Sequence, residues 1–310
     1  MRGEVVNLRL LENTSYNRAA SHSLSIKERA GGFRGCEPVM TGAAEIIFVA
    51  ITERPLILSL ETATRTGSVA LASGAHLRAA SRLGDEQASH STNLLPHVDA
   101  LLKDAGISLR DIDLFAAAAG PGSFTGLRIG LATLKSFAAN VERPCLGVPT
   151  LHAVAYGAGV SRRTMALLPA GRGELFAQLL SVDENGEVEA HGEPAHLAPQ
   201  RLLEIAKDIG SLTWAGEGAH LHREAIRDFA HQHSIALLNK AHEGDATFST
   251  DGDVWALAPP SDILAASVAA LALRRFNRGE ITRPEDLRAL YVRASDAELK
   301  ERCLEQRPQS

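Results

Sequence analysis

Residues 114–140 read LFAAAAGPGSFTGLRIGLATLKSFAAN, and this stretch decides the fold class. From Leu114 to Ala119 the chain is continuously apolar, as a strand covered on both faces requires. Gly120-Pro121-Gly122 then lets the backbone turn sharply, because glycine accepts angles that other residues avoid. Ser123 or Thr125 can cap a helix running to about Asn140 by accepting bonds from first-turn amides. Gly126 and Gly130, four apart, leave one helix face bare, so another group can come close. That group can be a phosphate at the helix N-terminus, a helix of a partner, or the chain's own sheet. The residues alone leave the three open.

Strand, glycine turn and helix recur on both sides of this unit. Upstream, Leu56-Ile57-Leu58-Ser59-Leu60 is a second continuous apolar run, followed after short turns by Ser68–Ala72 and His76–Ala80, a three-stranded meander. A helix is expected next, entered through Ser91, Thr92 or Asn93, with Pro96 in its first turn and Gly106 at its end. Leu94, Leu95, Val98, Leu101, Leu102 and Ala105 give it an apolar stripe. Downstream, Leu146-Gly147-Val148 reads as a buried strand. Strands are then expected at Thr164–Pro169, Glu174–Val182, Glu187–Ala190 and Ser211–Ala215, and helices at 199–207, 219–232 and 260–277. A meander followed by strand–helix alternation indicates an α/β fold with mixed sheets.

The first 54 residues are different: polar, without sustained periodicity, and expected to be loosely ordered. The run 44–51 within them reads as a strand or a short helix. The segment is either a targeting or docking arm or sequence upstream of the natural start, at Met40 or a nearby non-Met codon.

Composition narrows the function. With 37 acidic and 32 basic side chains the net charge is -5, and no cluster of Lys and Arg stands out to neutralise phosphates. Tight nucleic-acid binding by this chain alone is not expected. Cys36, Cys145 and Cys303 are too far apart to form a metal knuckle or redox pair, and they fit a reducing cytosol. Apolar runs break well short of about 18 residues, so no membrane helix is expected. A cytoplasmic protein is the expectation.

With its surroundings, GPGSFTGLRIGLATLKSFA closely resembles the signature of the TsaB family. LSLETATRTGSVAL, STNLLPHVDALL, GVPTLHAVA, GRGELF and ALYVR match further family segments in the family's order, over roughly residues 56–293. The resemblance implies an actin/Hsp70/sugar-kinase type (ASKHA) fold of two α/β lobes, here 55–149 and 150–293, with an extension 1–54 and a tail 294–310. It implies a subunit without catalysis of its own, which pairs with the paralogue TsaD and works with TsaE in making threonylcarbamoyladenosine in tRNA. ATP and a metal then belong to the partners, none is bound by this chain alone, and tRNA is met through the complex.

The resemblance also places the pairing surface on two helices. One carries Leu94, Leu95, Val98 and Leu102; the other supplies Gly122, Ser123, Phe124, Thr125, Gly126, Arg128, Gly130 and Lys135. On this reading a bulky residue at Gly126 or Gly130 abolishes pairing and leaves the chain folded. Without TsaD, an exposed apolar helix pair favours a homodimer.

Three enzymatic readings compete. A TsaD-like metal site needs two histidines four apart on the first helix. His90 and His97 are seven apart, about 10.5 Å along the axis, and are expected as surface residues. An ATPase of this fold would use the turn after the first strand, here Glu61-Thr62-Ala63-Thr64, and a second-lobe turn, Ala215-Gly216-Glu217-Gly218. Glu61, Thr62, Gly216 and Gly218 are therefore weak nucleotide candidates, with Ala63 standing where close approach favours glycine. A peptidase would need His-Glu-x-x-His or Gly-x-Ser-x-Gly, and the sequence has neither around Ser123. One departure from the family pattern is Pro169, in place of an acidic residue ahead of Arg172.

Overall fold

The computed structural model describes residues 54–84, 90–239 and 253–292, with backbone strands at 7–8, 36–40 and 46–50. Those three strands, β1 (Asn7–Leu8), β2 (Cys36–Met40) and β3 (Ile46–Ala50), pair antiparallel in the order β1-β3-β2. The run at 44–51 is thus a strand, and paired strands occur within a segment expected to be loosely ordered. The tail 294–310 lies outside the described residues.

Strands β4 (Leu56–Glu61), β5 (Ser68–Ser73) and β6 (His76–Arg82) form the expected meander. β7 (Leu114–Gly120) and β8 (Cys145–Pro149) run parallel to β4, giving a five-stranded sheet ordered β6-β5-β4-β7-β8. Successive side chains on a strand point to opposite faces, and the apolar runs use both. Along β7, Leu114, Ala116 and Ala118 enter one core cluster, while Phe115 and Ala117 enter another. Helices α1 (His90–Asp104) and α2 (Phe124–Asn140) cover the second face.

The second sheet is ordered β11-β10-β9-β13-β15-β14, with β12 (Ala195–Leu197) also on β10. Its strands are β9 (Ser161–Gly171), β10 (Glu174–Val182), β11 (Val188–Ala190), β13 (Leu212–Ala215), β14 (Ala236–Asn239) and β15 (Val254–Leu257). β9 and β10 are antiparallel, whereas β13, β14 and β15 pair in parallel.

Helices α3 (Thr150–Gly157), α4 (Pro199–Ile209), α5 (Glu217–Leu221), α6 (Arg223–Gln232) and α7 (Leu264–Asn277) complete the described residues. The helix expected at 219–232 is two helices meeting at His222.

The last helix departs from the expected lobe boundary. α7 packs on β4, β5 and β7 of the first sheet, and on α3, which itself packs on β9 and β10. Two serines of the first sheet hold its first turn. Ser59 Oγ donates to the Ala265 carbonyl (2.8 Å), and the Ala265 amide donates to Ser68 Oγ (3.0 Å). First-turn amides of a helix have no partner within the helix, so a buried helix start needs such a side chain. Residues of both sheets, α3 and α7 therefore share one apolar core.

Candidate functional site

The turn at 120–126 meets the end of β4. Thr62 and Ala63 are buried there, and the Ser123 amide donates to the Ala63 carbonyl (2.8 Å). Ser123 Oγ accepts from the Gly126 amide (3.2 Å), so Ser123 is the cap. Thr62 Oγ1 donates to the Gly126 carbonyl (2.7 Å). The bare face of α2 is filled by this chain: a Cβ at Gly126 would overlap the Thr62 carbonyl oxygen, and one at Gly130 the Thr62 hydroxyl. Gly122 likewise faces Ala63, whose Cβ and carbonyl oxygen would each lie 2.6 Å from an added Cβ. The expectation that Gly122, Gly126 and Gly130 face a partner is corrected: they face Thr62 and Ala63 because the helix must lie against the β4 turn.

Ser123→Ala should remove the cap and cost about 1 kcal/mol, lowering the melting temperature by roughly 2–4 °C. A melting curve identical to wild type would show that the cap does not hold the turn.

The leucine stripe divides in the same way. Leu94, Val98 and Leu102 are buried against the first sheet, so these three expected partner residues are core. Leu95, about 100° round the helix from Leu94, is 53% exposed. On α2 the side that meets solvent carries Ser123, Thr125 and Arg128, with Phe124 and Lys135 half-buried. Arg128 lies over the Phe124 ring, its guanidinium carbon 3.9 Å from the centroid.

The nucleotide candidates also have structural partners. Glu61 Oε1 accepts from the Thr64 amide (2.7 Å) and Oε2 from the Thr64 hydroxyl (2.8 Å), which closes the turn after β4. Gly216 lies against Leu167 and Val154, and Gly218 against Leu167 and Leu175, each too close for a side chain. The two turns are joined across the lobes by Arg65 and Glu217, 3.3 Å apart (Nε to Oε1). Glu61, Thr62, Gly216 and Gly218 thus build and pack the turns. Sequence reasoning missed the Arg65–Glu217 pair, since its partners lie 152 residues apart.

The His97 ring nitrogen Nδ1 and Ser81 Oγ are 2.7 Å apart, so His97 is half-buried and bonded rather than a free surface histidine. Among the described residues no group of three or more His, Cys, Asp or Glu is placed to hold a metal ion. Burial pushes the Cys145 thiol up to about 12. A small cavity near α3 is lined by His152, Arg274, Arg275 and Arg278. Those guanidiniums already pair with Glu187 and Glu280 at 2.7–3.1 Å. No helix among the described residues is long and apolar enough to cross a membrane.

This geometry fixes the two turns at 61–64 and 120–126 against each other. Ser123, Glu61 and Thr62 spend their hydrogen bonds on the turns, while Leu95, Thr125 and Arg128 point outward.

The family model described as TsaD: tRNA N6-adenosine threonylcarbamoyltransferase matches residues 85–297. The tRNA threonylcarbamoyladenosine biosynthesis protein TsaB of Escherichia coli K12 is 37% identical over 166 residues, 52% of this chain and 71% of that protein. The protein of the same name in Bacillus subtilis is 28% identical over 142 residues, 45% of this chain and 62% of its own length. The solved structure of YeaZ from Pseudomonas aeruginosa superposes with a TM-score of 0.59 at 26% identity, covering 77% of this chain and 100% of that one. The two-sheet architecture is consistent with the ASKHA-like fold.

Proposed function

This chain belongs to the TsaD (tRNA N6-adenosine threonylcarbamoyltransferase) family, among its TsaB members, and we propose that it acts in threonylcarbamoyladenosine biosynthesis as a non-catalytic pairing subunit. Its partner is a TsaD protein, TsaE and tRNA meet it through that complex, and it binds neither nucleotide nor metal of its own. One observation carries this reading. The polar groups that an enzyme of this fold would turn toward a substrate are spent on the turns at 61–64 and 120–126. The neighbouring exposed side of α2, with Leu95 of α1, remains as the surface for a partner.

The test is co-expression with the TsaD of the same organism. Size-exclusion chromatography is followed by an adenosine-modification assay with TsaE and threonylcarbamoyl-adenylate supplied. A one-to-one complex is expected, with modification only when both subunits are present. An Arg128→Glu, Leu95→Glu double variant should lose at least about tenfold in affinity for TsaD, or about 1.4 kcal/mol, and melt like wild type because both side chains are exposed. Modification or ATP turnover by this chain alone would overturn the reading.

A further inference from the structure

Residues 289–292, ALYV, belong to a strap that follows α7 and returns to the first sheet. Thr282 and Cys145 exchange two backbone hydrogen bonds, 3.1 and 3.0 Å, so the strap pairs with the edge strand β8. Leu287 is buried beside Gly147. The Leu290 amide then donates to the Ala119 carbonyl (2.7 Å), and the Leu290 carbonyl lies where a Cβ on Gly120 would sit. Although the backbone is pinned this firmly, Leu290 stays 47% exposed and Tyr291 50% exposed. The Tyr291 ring packs on Phe124, centroids 5.3 Å apart and tilted by 38°, and Arg128 lies over the Phe124 ring. Phe124 thus touches both Tyr291 of the strap and Arg128 of its own helix, beside the turn at 120–126.

Single exposed apolar side chains are ordinary on a protein surface. A tyrosine held by a pinned backbone against the ring that carries Arg128 is a different case. Phe124 and Arg128 lie on the side of α2 assigned above to the partner, and a long side chain that must be ordered on binding weakens binding. We infer that Tyr291 is a positioning residue for partner recognition: its ring fixes Phe124, and through it Arg128, in the orientation the TsaD subunit meets. This rests on the pairing function proposed above. The partner group opposite Arg128 is then acidic, since a guanidinium over an aromatic face keeps its donors free at the edge.

The test compares Tyr291→Ala, Tyr291→Phe and the Arg128→Glu, Leu95→Glu double variant as full chains. The readouts are the dissociation constant for purified TsaD at low and high salt, and the melting temperature of the unpaired chain. Tyr291→Ala should bind about tenfold more weakly, with a flatter salt dependence, because Arg128 is no longer held. Tyr291→Phe should bind within about twofold of wild type, since the contact is ring on ring and needs no hydroxyl. Both should melt within a few degrees of wild type. If Tyr291→Ala melts lower than that, Tyr291→Leu carries the same test, keeping apolar bulk without a ring face.

If the double variant loses pairing while Tyr291→Ala binds like wild type, the positioning role is overturned and the pairing function stands. The same holds if Tyr291→Phe binds as weakly as Tyr291→Ala. If the double variant still pairs fully, the surface assignment itself has failed.

Discussion

A Gly126→Leu chain is expected to fail in folding rather than in pairing. A Cβ at this position would overlap the carbonyl oxygen of Thr62, which is backbone and cannot turn aside as a side chain could. Thr62 is 2% exposed and continues directly from the central strand β4, so relief would require the strand or the helix to shift. The same shift would break the bond from the Thr62 hydroxyl to the Gly126 carbonyl and the one from the Ser123 amide to Ala63. Overpacking combined with lost buried hydrogen bonds belongs among the largest single-residue effects, about 4 kcal/mol or more, out of a total stability of roughly 5–15 kcal/mol. Loss of soluble chain, or a melting temperature lower by roughly 10 °C or more, is the expected result in thermal unfolding followed by circular dichroism. Gly126→Ala should already be severe, and Gly130→Ala milder, because the atom it meets is the Thr62 side-chain hydroxyl rather than backbone. A Gly126→Leu chain that melted like wild type and failed only to bind TsaD would return the glycine face to the interface.

That contact explains why the sequence is legible in one respect and silent in another. Two glycines four apart on a helix announce a close approach, and the approach is there. They do not announce what approaches, and Thr62 lies 64 residues earlier in the chain. The leucines of α1 show the same divide. Periodicity marks Leu94, Val98 and Leu102 as one stripe, and they form one core face; Leu95, adjacent in sequence, falls outside it. Continuous apolar runs located β4 and β7 because a strand covered on both faces has no polar side to hide it. The helix Thr150–Gly157 was missed for the converse reason. Five of its eight residues are buried, so it lacks the polar face that reveals helical periodicity. β14 and β15, four residues each, are too short for any period to show. The turn and helix at 119–131 were legible as a strand, a glycine turn and a capped helix. Which of their residues face outward depended on β4, far away in sequence.

Val268→Asp should destabilise both sheets together, although α7 follows the second sheet in sequence and rests on the first. Val268 is fully buried in the core that joins Ile57, Leu114 and Ala116 of the first sheet to Ala166, Leu168 and Phe176 of the second. An unpaired carboxylate there has no hydrogen-bonding partner to offset its lost hydration, so a cost of about 4 kcal/mol or more is expected. The two tryptophans make the test selective. Trp214 and Trp255 both belong to the second sheet, edge to face at 5.0 Å, and both are fully buried. If α7 knits the lobes into one cooperative unit, urea unfolding of Val268→Asp followed by tryptophan fluorescence should shift to a lower midpoint. The shift should match that of far-ultraviolet circular dichroism, which reports on both lobes. If fluorescence keeps its wild-type midpoint while the dichroism falls early, the second sheet stands without α7 and the lobes unfold separately. The pairing role proposed above would call for such a shared core, because a surface on α1 and α2 presents a fixed shape only if the sheet beneath it is braced from the other side.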